Sequence, residues 1–141
     1  SVGYSVKLDT NGTNPEMLKK LIGDGLIDFV AMDIKNSPAK YPLTCGVDVD
    51  PSKIRESIEI LMSSGIDFEF RTTVVKQLHE DRDFDEIGEF IKGAPRYFLQ
   101  CFKDSGDIIA DGMSAPSESD MKRYLSIIKK YIPSAKLRGI D

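Results

Sequence analysis

Asp33 and Lys35 stand two positions apart at the end of the apolar run Ile27 to Lys35, IDFVAMDIK, so a strand there throws both charges onto one face. The preceding apolar segment ends Lys7-Leu8-Asp9-Thr10-Asn11-Gly12, and the following one carries Glu69, Arg71 and Thr73 at alternate positions. Three neighbouring strands thus bring polar groups to a common end. Lys35 and Arg71 can pair with a carboxylate, and Asp9 and Asp33 with an ammonium group or a metal cation, so the set suits a small zwitterion. Gly12 lets the backbone approach closely or take a positive φ. Each item also has a plainer use: Asn11-Gly12 as a turn, Asp33 and Lys35 as a solvated strand end, Arg71 as a structural ion-pair partner.

The elements that must position these residues are punctuated regularly. A strand from Tyr4 to Asp9 leads to Asn14-Pro15, a helix cap followed by proline at the first helical position, and then to Met17, Leu18, Leu21 and Ile22 at helical spacing, with Gly25 to close the helix. After strand Ile27 to Lys35 and a loop with Pro38, Pro42, Cys45 and Gly46, Asp50-Pro51 repeats the cap. Its helix buries Ile54, Ile58, Leu61 and Met62 and stops near Gly65. Strand Asp67 to Val75 is followed by a helix carrying Phe84, Ile87, Phe90 and Ile91, then by a strand from about Arg96 to Phe102. The last helix starts at Ser117, with Asp120 as a capping-box variant, and carries Met121, Tyr124, Leu125 and Ile128. Pro133 ends it before a short strand, Ala135 to Arg138.

Strand and helix alternate four times and a fifth strand closes the series, which predicts an α/β fold with a parallel sheet. An open doubly wound sheet fits the count, but two features favour a piece of an α/β barrel. The chain starts at a strand with no helix before it, as though cut from something longer. In Asp67 to Val75, moreover, Phe68, Phe70, Thr72 and Val74 share one face while Asp67, Glu69, Arg71 and Thr73 share the other, whereas a strand covered by helices on both faces reads apolar throughout. In such folds ligands sit beyond the carboxyl ends of the strands, here Asp9 to Gly12, Asp33 and Lys35, Arg71 and Thr73, and Gln100 and Phe102.

With 141 residues, 40% hydrophobic and 30% charged, the chain reads as one folded domain, residues 1 to 141. No apolar run is long enough for a membrane span and the start lacks a signal-peptide pattern, so a cytoplasmic setting is expected. A formal charge of −4 makes nucleic acid a poor partner. Cys45 and Cys101 lack the companions of a closely spaced metal motif and read as a loop thiol and a strand thiol. The single histidine, His79, reads first as a solvated loop residue and second as a functional group just past a strand end.

VKLDTNG, FVAMDIK and FRTTVV, in this order and at these spacings, resemble the second half of radical S-adenosylmethionine enzymes, specifically the activating proteins of glycyl-radical enzymes. The likeness is greatest to those of anaerobic ribonucleoside-triphosphate reductase, with pyruvate formate-lyase activating enzymes more distant. Tyr97 to Gly106 and Leu137 to Asp141 resemble the same proteins, so the likeness covers essentially the whole chain. The resemblance implies about strands four to eight of a partial TIM-like barrel. It also implies a parent protein in which three closely spaced cysteines hold a 4Fe-4S cluster, S-adenosylmethionine is cleaved reductively, and hydrogen is abstracted from a glycine of a partner enzyme. A flavodoxin or ferredoxin-like donor would supply the electron. Carried over by motif, Asp9, Thr10, Asn11, Asp33, Lys35 and Arg71 would bind the cofactor. Asp9 and Asp33 would line its methionine end and a nearby monovalent cation, Thr10 would lend that cation an oxygen, and Lys35 and Arg71 would face the carboxylate.

This chain departs from the family where the cluster motif and the glycine-rich segment would lie, upstream of Ser1, and Cys45 and Cys101 cannot replace three thiolates. Lys76-Gln77 follows Val75 where the lyase branch has Pro-Gly, and Gln100, Cys101 and Phe102 occupy the region where that branch carries a histidine. Both differences point to the reductase branch. The chain alone is therefore expected to be inactive, to bind S-adenosylmethionine weakly or not at all, and to expose a sheet edge beside Tyr4 to Asp9 that invites self-pairing. Two other classes stay open: a stand-alone module using Asp9, Asp33 and Lys35 for a metal or a phosphorylated ligand, and a hydrolase or aldolase fragment with Lys35 as a Schiff-base lysine.

Overall fold

A computed structural model describes residues 6–41, 44, 49–102 and 113–138. The order is β1 (Lys7–Thr10), α1 (Pro15–Gly23), β2 (Phe29–Asp33), a 3-10 turn (Pro38–Lys40), α2 (Pro51–Ser64), β3 (Asp67–Val74), α3 (Asp81–Phe90), β4 (Tyr97–Cys101), α4 (Glu118–Ile128) and β5 (Lys136–Arg138). The helix starts follow from local chemistry. Asn14 accepts from the Met17 N–H, Asp50 from Ser52 and Ser117 from Asp120, satisfying donors that have no partner inside the helix. Pro15 and Pro51 fill first-turn positions that need no N–H. Gly65, at φ +77°, ends α2 in a conformation that costs a side-chain-bearing residue energy. The reciprocal half of the box at Ser117 is missing, because Asp120 turns to Arg123 instead.

All four strand pairings are parallel and the strands lie in the order β1-β2-β3-β4-β5. That order decides between the two architectures. A doubly wound sheet reverses direction part-way and so puts helices on both faces. Strands added in one direction through right-handed crossovers put every helix on one face, as in a barrel wall. The packing agrees. One apolar cluster joins Val30 and Met32 of β2, Phe68, Phe70 and Val74 of β3 and Tyr97 and Leu99 of β4 to Leu18, Ile54, Ile58, Leu61, Phe84, Ile87, Met121, Tyr124 and Ile128 of the helices. None of the alternate residues Asp9, Asp33, Glu69, Arg71 or Phe98 takes part in it.

Two helical positions expected in the core are not there: Met17 is 57% exposed and Met62 sits at the rim. Helical spacing sets which side of a helix an apolar residue takes, not whether another element covers it. Residues 1–5 and 139–141, Pro42, Cys45, Gly46 and the 103–112 stretch fall outside the described residues, so the expected strand start at Tyr4 and the loop thiol at Cys45 do too. Among the described residues no helix is long and apolar enough to cross a membrane.

Candidate functional site

The register puts Asp9 beside Ala31 and Glu69, and Asp33 beside Arg71 and Phe98, on the face away from the helices. Arg71 is the hub. Its Nη2 lies 3.5 Å from Asp9 Oδ1 and its Nε 3.3 Å from Asp33 Oδ1, so one guanidinium bridges three adjacent strands. Lys35 Nζ approaches the other oxygen of Asp33 at 3.4 Å. Two cations and two carboxylates therefore meet at the carboxyl ends of β1 and β2, against the middle of β3, and neutralise one another. Arg71 is the least exposed of the four and Asp9 the most, on β1, an edge strand among the described ones. Pairs this solvated add little to stability, which leaves their partners open to exchange with a ligand.

Thr10 and Asn11 are placed differently. Thr10 Oγ1 accepts from the Gly12 N–H, and Asn11 Oδ1 accepts from the Thr13 N–H and hydroxyl, so both side chains shape the turn that follows β1. Gly12 has φ +75°, its carbonyl accepts from Ser57 Oγ, and a Cβ there would lie 2.2 Å from the end of Met32. Arg71 contacts both carboxylates, Asp9 and Asp33. Among the described residues, no three or more His, Cys, Asp or Glu side chains converge as metal ligands.

A second ion pair occupies the same face farther along the sheet. Arg138 Nη1 lies 3.0 Å from Glu69 Oε2, and its guanidinium stacks 3.6 Å from the Phe98 ring centre. The alternation in β3 marked Glu69 as inward-facing, but its partner is on β5 and carries no sequence signal.

Behind the cluster, the backbone that carries Lys35 is held at every polar atom. Ile34 N–H donates to Arg71 O at 2.7 Å and Ile34 O accepts from Thr72 Oγ1. Lys35 N–H donates to the Tyr41 hydroxyl at 2.9 Å, and Lys35 O faces His79 Nε2 at 2.9 Å. Thr72 in turn hydrogen-bonds the hydroxyl of Tyr97, whose complete burial pushes its pKa up and keeps it protonated. Next to this lies Asp83, 1% exposed, which receives Lys40 Nζ at 2.9 Å, the Ser37 hydroxyl at 3.3 Å and the Glu80 N–H at 2.8 Å. Asp83 raises the Lys40 pKa by direct hydrogen bonding. Asn36, fully buried, bonds Thr44 and the Leu78 carbonyl. His79 is thus a correction to the solvated-loop reading: it is 5% exposed, and burial pushes its pKa down. Cys101 is a half-buried free thiol at the end of β4.

No family model matches the chain. It is 34% identical, over 99% of its length, to a protein of Methanocaldococcus jannaschii described as a glycyl-radical enzyme activating enzyme, and it spans 60% of that relative's length. Its fold superposes on a domain of pyruvate-formate lyase-activating enzyme from Bacteroides vulgatus with a TM-score of 0.77, at 16% identity, covering 98% of this chain and 83% of that one. A radical SAM methyltransferase from Sphaerobacter thermophilus superposes at 0.74, with 14% identity, covering 99% of this chain and 42% of that one. Over nearly its whole length the chain is therefore similar in sequence to a glycyl-radical enzyme activating enzyme, and its parallel sheet with alternating helices has the fold of those two structures.

Proposed function

We propose that this chain is the C-terminal part of a radical S-adenosylmethionine activase, and that Asp9, Asp33, Lys35 and Arg71 receive the methionine end of that cofactor. The observation that carries this is the mutually neutralised quartet at the strand ends. A bound zwitterion exchanges partners without leaving a charge unpaired: its carboxylate takes the place of an aspartate on Lys35 and Arg71, and its ammonium group takes a cation's place on Asp9 and Asp33. A monovalent cation beside Asp9 and Asp33 would enter only as Arg71 turns toward the ligand.

The cluster is a different matter. The chain's two cysteines are fewer than the three thiolates such a site needs, so it would be held by residues upstream of Ser1. Together, cluster and cofactor would supply the hydrogen abstraction from a glycine of the partner, an anaerobic ribonucleotide reductase or pyruvate formate-lyase type enzyme, with a flavodoxin or ferredoxin-like donor. By itself the chain is inactive and binds S-adenosylmethionine weakly, and β1, an edge strand among the described ones, offers a surface for self-pairing in solution.

The alternatives find less support. A doubly wound module would hold its ligand where the strand order reverses, and the described strands show no reversal. A Schiff-base role for Lys35 is disfavoured by the Asp33 carboxylate against its ammonium group. The test is calorimetric titration of S-adenosylmethionine into this chain and into the protein extended upstream of Ser1. Tight binding is expected only for the extended protein, with a three-cysteine motif in the added segment, and is lost in Lys35→Met and Arg71→Met. A start codon immediately before or near Ser1, or binding indifferent to both substitutions, overturns the proposal.

A further inference from the structure

His79 has two ring nitrogens and two backbone partners whose roles are fixed. Nδ1 lies 3.0 Å from the Val75 N–H, which can only donate, so Nδ1 accepts and carries no proton. Nε2 lies 2.9 Å from the Lys35 carbonyl, which can only accept, so Nε2 bears the hydrogen. Both contacts are met at once by a single species, the neutral Nε2–H tautomer. That ring ties the loop after β3 to the second residue past β2, Lys35.

We propose that His79 is a positioning residue: as the neutral Nε2–H tautomer it anchors the Lys35 carbonyl to Val75 and so fixes the backbone from which Lys35 reaches the charged cluster. The functional value of that placement rests on the reading of Lys35 as a ligand contact, but the anchoring itself does not. The other polar atoms of the Ile34-Lys35 segment are held by Arg71, Thr72 and Tyr41, from two other elements, so the segment has a partner on each side and His79 closes the set. Burial beside Phe84 and under Tyr124, whose hydroxyl reaches the His79 carbonyl at 3.4 Å, disfavours the charged ring. Of the charged groups facing it, Asp83 works the other way and Lys40 reinforces the neutral form. Protonation would turn Nδ1 into a donor facing the Val75 N–H. The Val75 carbonyl, 3.2 Å away, could take up that proton only at the loss of the first bond.

Because the chain has one histidine, a long-range proton–nitrogen correlation spectrum of the folded chain reads the tautomer without ambiguity. Unprotonated Nδ1 with protonated Nε2 is expected, persisting below the ordinary imidazole pKa of 6.5. An Nδ1–H tautomer, or an imidazolium ion at neutral pH, overturns the proposal. Three variants then separate anchoring from plain structural support. Gln places an amide N–H within reach of the Lys35 carbonyl, Asn offers an oxygen only to Val75, and Leu does neither. His79→Leu and His79→Asn are expected to shift the Lys35 carbonyl carbon resonance and speed exchange of the Lys35 amide on the order of tenfold, while His79→Gln restores both. Lys35 signals that follow thermal stability across the three variants, regardless of which bond is kept, overturn it. None of these readouts needs a ligand, so failure of the cofactor reading would show separately, as titration with S-adenosylmethionine that leaves Lys35 unmoved in the wild-type, extended protein.

Discussion

Replacing Gly12 with alanine tests how tightly the turn after β1 is built onto the core. Two penalties add. At φ +75° an alanine sits in the left-handed region, which costs about 1–2 kcal/mol. The new methyl would also stand 2.2 Å from Met32 Cε and 3.1 Å from its sulfur, and Met32 is fully buried, so its end must move within a filled core at about 1–3 kcal/mol. The flexible thioether puts that second penalty at the low end, and the stiffer unfolded chain returns about 0.4–1 kcal/mol. The net expectation is a loss of about 2 kcal/mol, or roughly 6 °C in Tm for a domain of this size. Urea unfolding followed by circular dichroism measures it, and a Met32→Ala background separates the two penalties. Removing the thioether cancels the steric part while the backbone part remains, so about 1 kcal/mol of coupling should appear in the double-mutant cycle. A loss below about 0.5 kcal/mol in the wild-type background, or the same loss in both backgrounds, would refute the packing derived for this turn.

Lys40→Met leaves the Asp83 carboxylate buried without its cation, and since Ser37 and the Glu80 N–H still serve it, a loss of about 2 kcal/mol is expected in urea unfolding; an unchanged midpoint would mean the pair contributes nothing. The low pKa of His79 makes stability depend on acid. The unfolded chain binds a proton near 6.5 and the folded chain only at lower pH, so stability present above 6.5 is lost as pH falls from there through the folded pKa, and His79→Gln removes that slope. The raised pKa of Lys40 acts in the opposite direction: its contribution is whole below 10.5, is lost as pH rises through the folded value, and is missing in Lys40→Met. Tyr97→Phe takes away the donor to Thr72 inside the core and is expected to cost about 1 kcal/mol, measured by thermal unfolding; a rise in Tm would show that Thr72 is satisfied by the Ile34 carbonyl alone.

Local chemistry made most of the fold legible. Asn14-Pro15 and Asp50-Pro51 announced helix starts because a capping side chain and a proline act within one turn, and the period-two pattern of Asp67 to Val75 announced a sheet with one polar face. That alternation also placed Asp33, Lys35 and Arg71 on one side. What stayed hidden were contacts set by tertiary approach alone. Glu69 meets Arg138, Asn36 meets Leu78 and Asp83 meets Ser37 across tens of residues, and no spacing in the chain encodes those meetings. His79 looked solvated because it sits in a charged stretch, yet the chain folds it inward against Phe84. Met17 and Met62 failed in the other direction, since helical spacing says which side a residue takes and not whether a neighbour reaches it.

The one-sided core divides labour along β3 by parity. Phe68, Phe70, Thr72 and Val74 are buried against the helices or hydroxyls and carry the stability of the wall, while Asp67, Glu69, Arg71 and Thr73 line its polar face. Substitutions at the second set leave the first set's packing untouched, so under the proposed function the groups offered to a ligand can drift during evolution with little loss of stability. The same arrangement sets a penalty on indels. One residue gained or lost within β3 exchanges the two sets wholesale, turning Arg71 and Glu69 into the apolar core and the phenylalanines onto the polar face, so this strand can diversify by replacement but not by changes in length.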